Sequence, residues 1–530
     1  MNKENERVIG HIGDLQDGEM KQVTVNGTDV LLVRVKGQYA AVGATCPHYG
    51  GPLVEGALHG TRLICPWHHA CFNVTTGSLE EPPAMDALPR YAMRQDGDTV
   101  MVTVPAESTP TQAEPRGTDV RERDTRVFVI LGGGAAGHAA TETLRQEGFR
   151  GRIVLITREE QMPYDRPNLS KEYLAGTAEP EWLPLRDDAF YAEHAIEAWC
   201  GREVEHVDVM RRMLSCTDGS SLSYDVLLLA TGGTPRTLDV PGADLENVFS
   251  LRSLDDANRI IATCKDAHRA IVVGASFIGM EVAASLTERG LAVTVVAPGV
   301  VPFEKTLGER VGRMFQDLHM ENGVDFRLNE KVVRIEGQGK VEAVVLASGE
   351  HIAAELVVVG LGVKPATHYL HGITLHDDGG VPVNACLKAA EGLFAAGDIA
   401  WFPDHLTGEV RRIEHWRVAR QQGHAAALAM LGHEVPYMGI PFFWTTQFGL
   451  RLNYVGYARQ WEDMLFWGDP TSRDFLAFYL REGKVIAAVG LNHDAELAAL
   501  EELMRIERMP APAALRDQSI ELVGLLQGEK

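Results

Sequence analysis

Two stretches of this sequence share one design, and they limit the fold more than anything else in it. RVFVILGGGAAG begins at residue 126 and RAIVVGASFIG at residue 269. Each is a run of Val, Ile and Leu that meets a glycine-rich turn and passes into a helical stretch. RIVLIT, DVLLLATGG, LAVTVVAP and ELVVVGLG continue the alternation of apolar runs with helical segments. Continuous apolar strands separated by helices build parallel sheets covered on both faces. The repeat therefore predicts two α/β units, opening at 126–148 and 269–290, and not a solenoid.

The turns themselves carry chemistry. Gly132-x-Gly134-x-x-Gly137, with Ala136 inside it, follows a strand and opens a helix. A tight turn, close backbone approach and a helix N-terminus suit a pyrophosphate. The next strand, RIVLITREE, ends near an acid that would bind an adenosine ribose, Glu159 or alternatively Glu160. The second turn reads Gly274-x-Ser276-Phe277-Ile278-Gly279, with serine in place of the middle glycine, and Gly362 at the end of ELVVVGLG is a further cofactor-binding candidate. Its following strand ends in Ala297, where an acid would select NAD, and no neighbouring arginine claims the 2′-phosphate of NADP. The choice between NADH and NADPH stays open.

Ahead of these units the pattern differs. QVTVNGTDVLLVRVKGQYAAVG, residues 22–43, alternates β-branched and polar residues around Asn26-Gly27 and Lys36-Gly37, which are hairpin signals. This predicts a small antiparallel β domain. Within it Cys46-x-His48 and Cys65-x-x-His68 lie sixteen residues apart. One Cys and one His from each of two loops is the inventory of a Rieske 2Fe–2S centre, with two thiolates on one iron and two imidazoles on the other. A structural Cys₂His₂ zinc site is the rival reading, although Cys-x-His is tighter than the usual zinc spacing. The pattern resembles the Rieske family. By that resemblance Gly51 and Trp67 hold the places where high-potential members carry a disulfide, which implies a ferredoxin-type cluster in the lower half of a range of about −150 to +300 mV. Cys71, Cys200, Cys216, Cys264 and Cys386 have no partner at metal or redox spacing and are expected to be packing residues.

Two nucleotide units, the second inserted in the first, resemble the two-dinucleotide flavoprotein reductases, and ATGG at 230–233 with LFAAGDIA at 393–400 match that family's paired motifs. The resemblance implies that Asp398 meets the flavin's ribityl chain, with Gly397 beside it cofactor-binding, and that Thr231 and Gly232 bound the dinucleotide. No cysteine pair follows the first turn, so dithiol chemistry is not expected. Instead MPYDRPNLSKEYL resembles the RPPLSK segment of ferredoxin reductases and apoptosis-inducing factors, which implies FAD-side roles for Arg166 and Lys171. It also implies that Lys171 pairs with Glu281 beside the isoalloxazine. LRSLDDA, IEHWRVARQQG and FFWTTQFG then nominate Arg252, Glu414, His415 and Trp444 on the flavin side.

The expected architecture is multidomain: a Rieske domain over 1–106, a linker over 107–125, an FAD domain over 126–250 and 393–436, an NAD(P)H domain over 251–392, and an α+β C-terminal module over 437–530. The whole order resembles apoptosis-inducing-factor-like flavoproteins with an N-terminal Rieske domain. The implied function is an NAD(P)H-dependent FAD oxidoreductase that passes electrons to its fused cluster and on to an unknown acceptor. The rivals are a slow NADH-oxidising redox sensor and an oxidase that uses oxygen or quinone. A formal charge of −23 opposes nucleic-acid binding. The absence of a long apolar run or a secretory signal predicts a cytoplasmic protein without a membrane span. A monomer or homodimer is expected.

Overall fold

The computed structural model describes residues 6–11, 13–105 and 124–527; the predicted linker, apart from residues 124 and 125, lies outside them. The chain divides into two compact units. One holds the N-terminal β domain together with residues 439–444 and 453–530, and the other holds residues 119–438 and 445–452.

In the first unit both hairpin signals are realised. Asn26 and Gly27, and Lys36 and Gly37, all have positive φ, and they close the pairs Val25–Thr28 and Val35–Gln38. That is the two-residue turn whose twist matches antiparallel strands. Met20–Val25, Thr28–Val35 and Gln38–Gly43 form one sheet, and Ala57–His59, Arg62–Ile64, Cys71–Asn73 and Leu79–Glu81 form another. A buried core of Leu31, Val33, Val42, Leu53, Leu63 and Phe72 includes Cys46 and Cys65, so the thiols are fixed by packing.

The C-terminal module is a five-stranded sheet with the helix Asp494–Arg505 packed on it. Its sequence shows why: apolar residues of the strands Asp474–Arg481 and Lys484–Leu491 meet Leu497, Leu500 and Leu503 of the helix in one buried cluster.

In the second unit, five parallel strands run in the order Ile196–Trp199, Arg152–Ile156, Val127–Leu131, Val226–Leu229, Leu393–Ala395. A second parallel sheet runs Asp325–Leu328, Ala292–Ala297, Arg269–Val273, Leu356–Val359, Val248–Ser250. Each is a doubly wound sheet with its glycine-rich turn after the central strand, where strand order reverses and ligands bind. The last parallel strand of the first sheet follows the whole of the second in sequence, so the second α/β domain is inserted in the first. Among the described residues no helix is long and apolar enough to cross a membrane.

Candidate functional site

The two ligand loops share one frame. The Cys46 amide donates to Gly51 O at 2.9 Å and the Cys65 amide to Ala70 O at 2.9 Å. Four residues beyond each cysteine, Gly50 and His69 donate back to the cysteine carbonyl at 3.0 and 3.1 Å, both with positive φ. This repeated fold presents the histidines together: His48 Nδ1 and His68 Nδ1 lie 3.2 Å apart with their rings at 89°. Cys46 and Cys65 are hydrogen-bonded through their side chains, and that contact together with burial pushes the Cys46 thiol far up.

Thiols pair with thiols and imidazoles with imidazoles. Among the described residues no three Cys, His, Asp or Glu side chains converge on a point that one ion could occupy. A single zinc needs four donors at one point, whereas a dinuclear cluster takes two donors at each end. The donor set therefore fits the 2Fe–2S group. A Cβ on Gly51 would lie 2.8 Å from Cys65 Sγ and 3.3 Å from the Trp67 ring, so the ring fills the space a second cysteine would need.

The flavin-side residues lie in the second unit. Gly132 has φ +118°, and a Cβ on Gly137 would sit 1.9 Å from Gly132 O, so the helix Ala135–Gln146 can start only on glycine there. Gly134 is open, with nothing nearer its would-be Cβ than Arg166 Nε at 3.9 Å. That is a cradle a backbone-hugging phosphate fits. Ala136 packs beneath Gly397, whose amide donates to Gln422 Oε1 at 2.8 Å. Arg252 bonds Asp398 at 2.8 Å and crowds Gly232, and the Thr231 hydroxyl is tied to Ala366 O and Tyr369. Glu159 is engaged by Arg166 and Tyr164; burial pushes its carboxyl up, but those partners hold it below the usual range. Burial and the nearby Asp398 raise Glu414, which Arg412 bonds at 2.6 Å, while burial pushes His415 down to about 4.

Lys171 Nζ lies 2.9 Å from Glu281 Oε2, with both side chains nearly inaccessible. The carboxylate has two further donors that the sequence did not single out. Ser170 Oγ reaches Oε2 at 2.5 Å and Thr445 Oγ1 reaches Oε1 at 2.7 Å. Behind Thr445, Gln447 Nε2 donates to its hydroxyl at 2.9 Å, and Gln447 Oε1 accepts from His319 Nε2 at 2.7 Å. Burial pushes His319 down to about 4, so the ring is neutral. Every donor in the chain His319, Gln447, Thr445 points toward Glu281. Ser170 and Thr445 lie inside motifs that were read, and only a hydroxyl facing inward marks them; His319 is one histidine on an apolar helix face.

At the second glycine-rich turn Gly274 has φ +112°, and a Cβ on Gly279 would sit 2.2 Å from Gly274 O. Ser276 caps the helix Phe277–Glu288, and its hydroxyl donates to Gly360 O at 3.3 Å. Phe277 packs on Phe303, Ile278 is exposed, and Gly362 turns with φ +80° in open space. Trp444, nominated for the flavin side, lies in the first unit with its ring 4.5 Å from that of His68 and 6.4 Å from that of His48.

Family comparisons agree with this layout. Residues 126–423 match the pyridine nucleotide-disulphide oxidoreductase model, 5–92 the Rieske [2Fe-2S] domain and 442–526 the reductase C-terminal domain. Human apoptosis-inducing factor 3 is 39% identical over 528 residues, spanning 98% of this chain and 86% of its own. The ferredoxin–NAD(+) reductase component of a 3-phenylpropionate/cinnamic acid dioxygenase from Photorhabdus laumondii is 34% identical, over 72% of this chain and 96% of its own. The putidaredoxin reductase–putidaredoxin covalent complex contains a chain that superposes with a TM-score of 0.71 at 32% identity, covering 76% of this chain and 99% of that one.

Proposed function

The chain belongs to the pyridine nucleotide-disulphide oxidoreductase family, and from that premise we propose that it carries electrons from a nicotinamide nucleotide, by way of its flavin site, to its own Rieske cluster and then to an acceptor outside the chain. It is an FAD-dependent NAD(P)H oxidoreductase with a Rieske 2Fe–2S domain. FAD, when bound, accepts a hydride and gives up electrons singly, which an iron–sulfur centre requires.

The chain's own residues hold and orient these groups. Cys46 and Cys65 would hold one iron, and His48 and His68 the other. Gly132, Gly134 and Gly137 would receive the pyrophosphate of FAD, with Arg252 and Asp398 further along the same dinucleotide. The turn at Gly274 to Gly279 would receive NADH or NADPH. Glu281, bonded by Ser170 and Thr445, fixes Lys171 Nζ, which would meet the flavin. The FAD domain is proposed as 126–250 and 393–436, the NAD(P)H domain as 251–392, and the flanking Rieske domain, linker and C-terminal module as 1–106, 107–125 and 437–530. A monomer or homodimer in the cytoplasm completes this reading.

One observation carries the proposal: the Cys46–Cys65 pair and the His48–His68 pair lie in the same chain as a reductase, so a fused cluster takes the place of a separate ferredoxin. Anaerobic titration with NADH and then NADPH tests it, following flavin bleaching optically and the reduced cluster by EPR. Bleaching together with a reduced Rieske signal is expected, and the more effective nucleotide identifies the donor. Bleaching without that signal overturns the relay and leaves the oxidase or sensor reading in its place.

A further inference from the structure

The second ligand loop contains a residue that its partner loop does without. Gly50 in the first loop and His69 in the second take the same position and the same left-handed turn, with φ of +79° and +57°. Glycine adopts that conformation freely, whereas a residue with a Cβ is strained in it. Strain beside a cluster ligand persists where the surroundings fix it, and the side chain of His69 identifies what does so.

His69 is fully buried. Its Nδ1 lies 2.5 Å from Glu501 Oε2, and its ring stacks on Phe442 at 3.9 Å. Glu501 is on the helix Asp494–Arg505 of the C-terminal module. The next residue, Glu502, is also buried; it meets His59 Nδ1 at 2.7 Å and Arg62 Nε at 3.3 Å. Two consecutive buried carboxylates are thus answered by three basic side chains of the Rieske domain. A buried carboxylate that loses a charged partner is destabilised, so both pairs favour the docked state, although Glu502 also keeps Arg505 of its own helix at 2.7 Å. Around these pairs Ala57, Ile64 and Cys71 share one apolar cluster with Phe442, Leu497 and Leu500. Trp444 covers the ring of His68 at 4.5 Å.

We propose that His69 and Glu501, seconded by Glu502 with His59 and Arg62, form a latch that docks the Rieske domain on the C-terminal module of its own chain and fixes the cluster's histidine edge against Trp444. The docked partner is this chain itself. This inference rests on the proposed relay for its purpose, but its test is separable from it.

The test uses full-length holoprotein carrying His69→Gly, Glu501→Ala or Glu501→Gln. Glycine suits the backbone at position 69, so His69→Gly keeps its loop, as full iron content and the reduced-cluster EPR signal verify. Amide exchange in residues 57–64 and 494–505 is expected to quicken about tenfold in His69→Gly and Glu501→Ala, because only the docked state protects both surfaces. Glu501→Gln retains an acceptor for His69 and stays nearer to wild type. Cluster reduction after NADH addition is expected to slow in the first two variants while flavin bleaching keeps its rate. Wild-type protection of both segments in His69→Gly overturns the latch, as does wild-type protection that disappears on dilution, which would assign the contact to two chains. If NADH fails to reduce the wild-type cluster, the relay falls, and the exchange result still decides the docking.

Discussion

At the scale of single residues, the Glu281 carboxylate is the group on which most depends. One oxygen is shared by Lys171 and Ser170, and the other accepts from Thr445. Thr445→Val preserves shape and removes the one hydroxyl that donates to Glu281 while accepting from Gln447. A buried acceptor and a buried donor then lose their partner, each worth about 1–3 kcal/mol. Denaturant unfolding is expected to show a loss of at least that size, with Thr445→Ser close to wild type and flavin bleaching by NADH slower in the valine variant. The Lys171–Glu281 pair was legible because both residues lie in segments resembling known motifs. The chain behind it was not, because hydroxyl, amide and imidazole groups on separate elements carry no common spacing in the sequence.

Elements were more legible than side-chain networks. Asn26-Gly27 and Lys36-Gly37 announce their hairpins because few residue pairs accept two successive positive φ values. The apolar strands after each glycine-rich turn announce parallel sheets because both of their faces are covered. The helix Asp494–Arg505 was also legible, yet nothing in AELAALEELMRI indicates that Glu501 and Glu502 are buried. Their partners in the Rieske domain, His69, His59 and Arg62, lie more than four hundred residues earlier. The first turn offers a test at this scale, since its glycines fail for different reasons. A Cβ at Gly137 meets backbone at 1.9 Å, whereas at Gly134 the nearest protein atom is Arg166 Nε at 3.9 Å. Gly137→Ala is expected to destabilise the domain itself. Gly134→Ala should fold as wild type and yet lose FAD, because the methyl occupies the phosphate's line of approach. The ratio of flavin to protein absorbance, read beside the thermal midpoint, separates the two effects.

Across the whole molecule, buried histidines set an acid limit that the sequence could not reveal, since nineteen histidines look alike in it. Burial pushes His138, His319 and His415 of the second unit down to about 4. His138 faces Glu142 together with Arg186 and Arg420, and His415 faces Asp398, and in neither case do the acids outweigh burial. A histidine whose folded pKa lies below its unfolded value near 6.5 is protonated first in the unfolded chain. Its contribution is therefore complete above about pH 6.5 and is lost as pH falls toward 4. Each such group adds a slope of up to about 1.4 kcal/mol per pH unit in that window, and three together give about 4. Denaturant titrations from pH 7 to 4.5 are expected to give an uptake of up to about three protons on unfolding that unit, with His138→Leu reducing it by about one. A flat profile through this window would mean that these rings charge in place, and that the interior of the second unit admits the water needed to hydrate them.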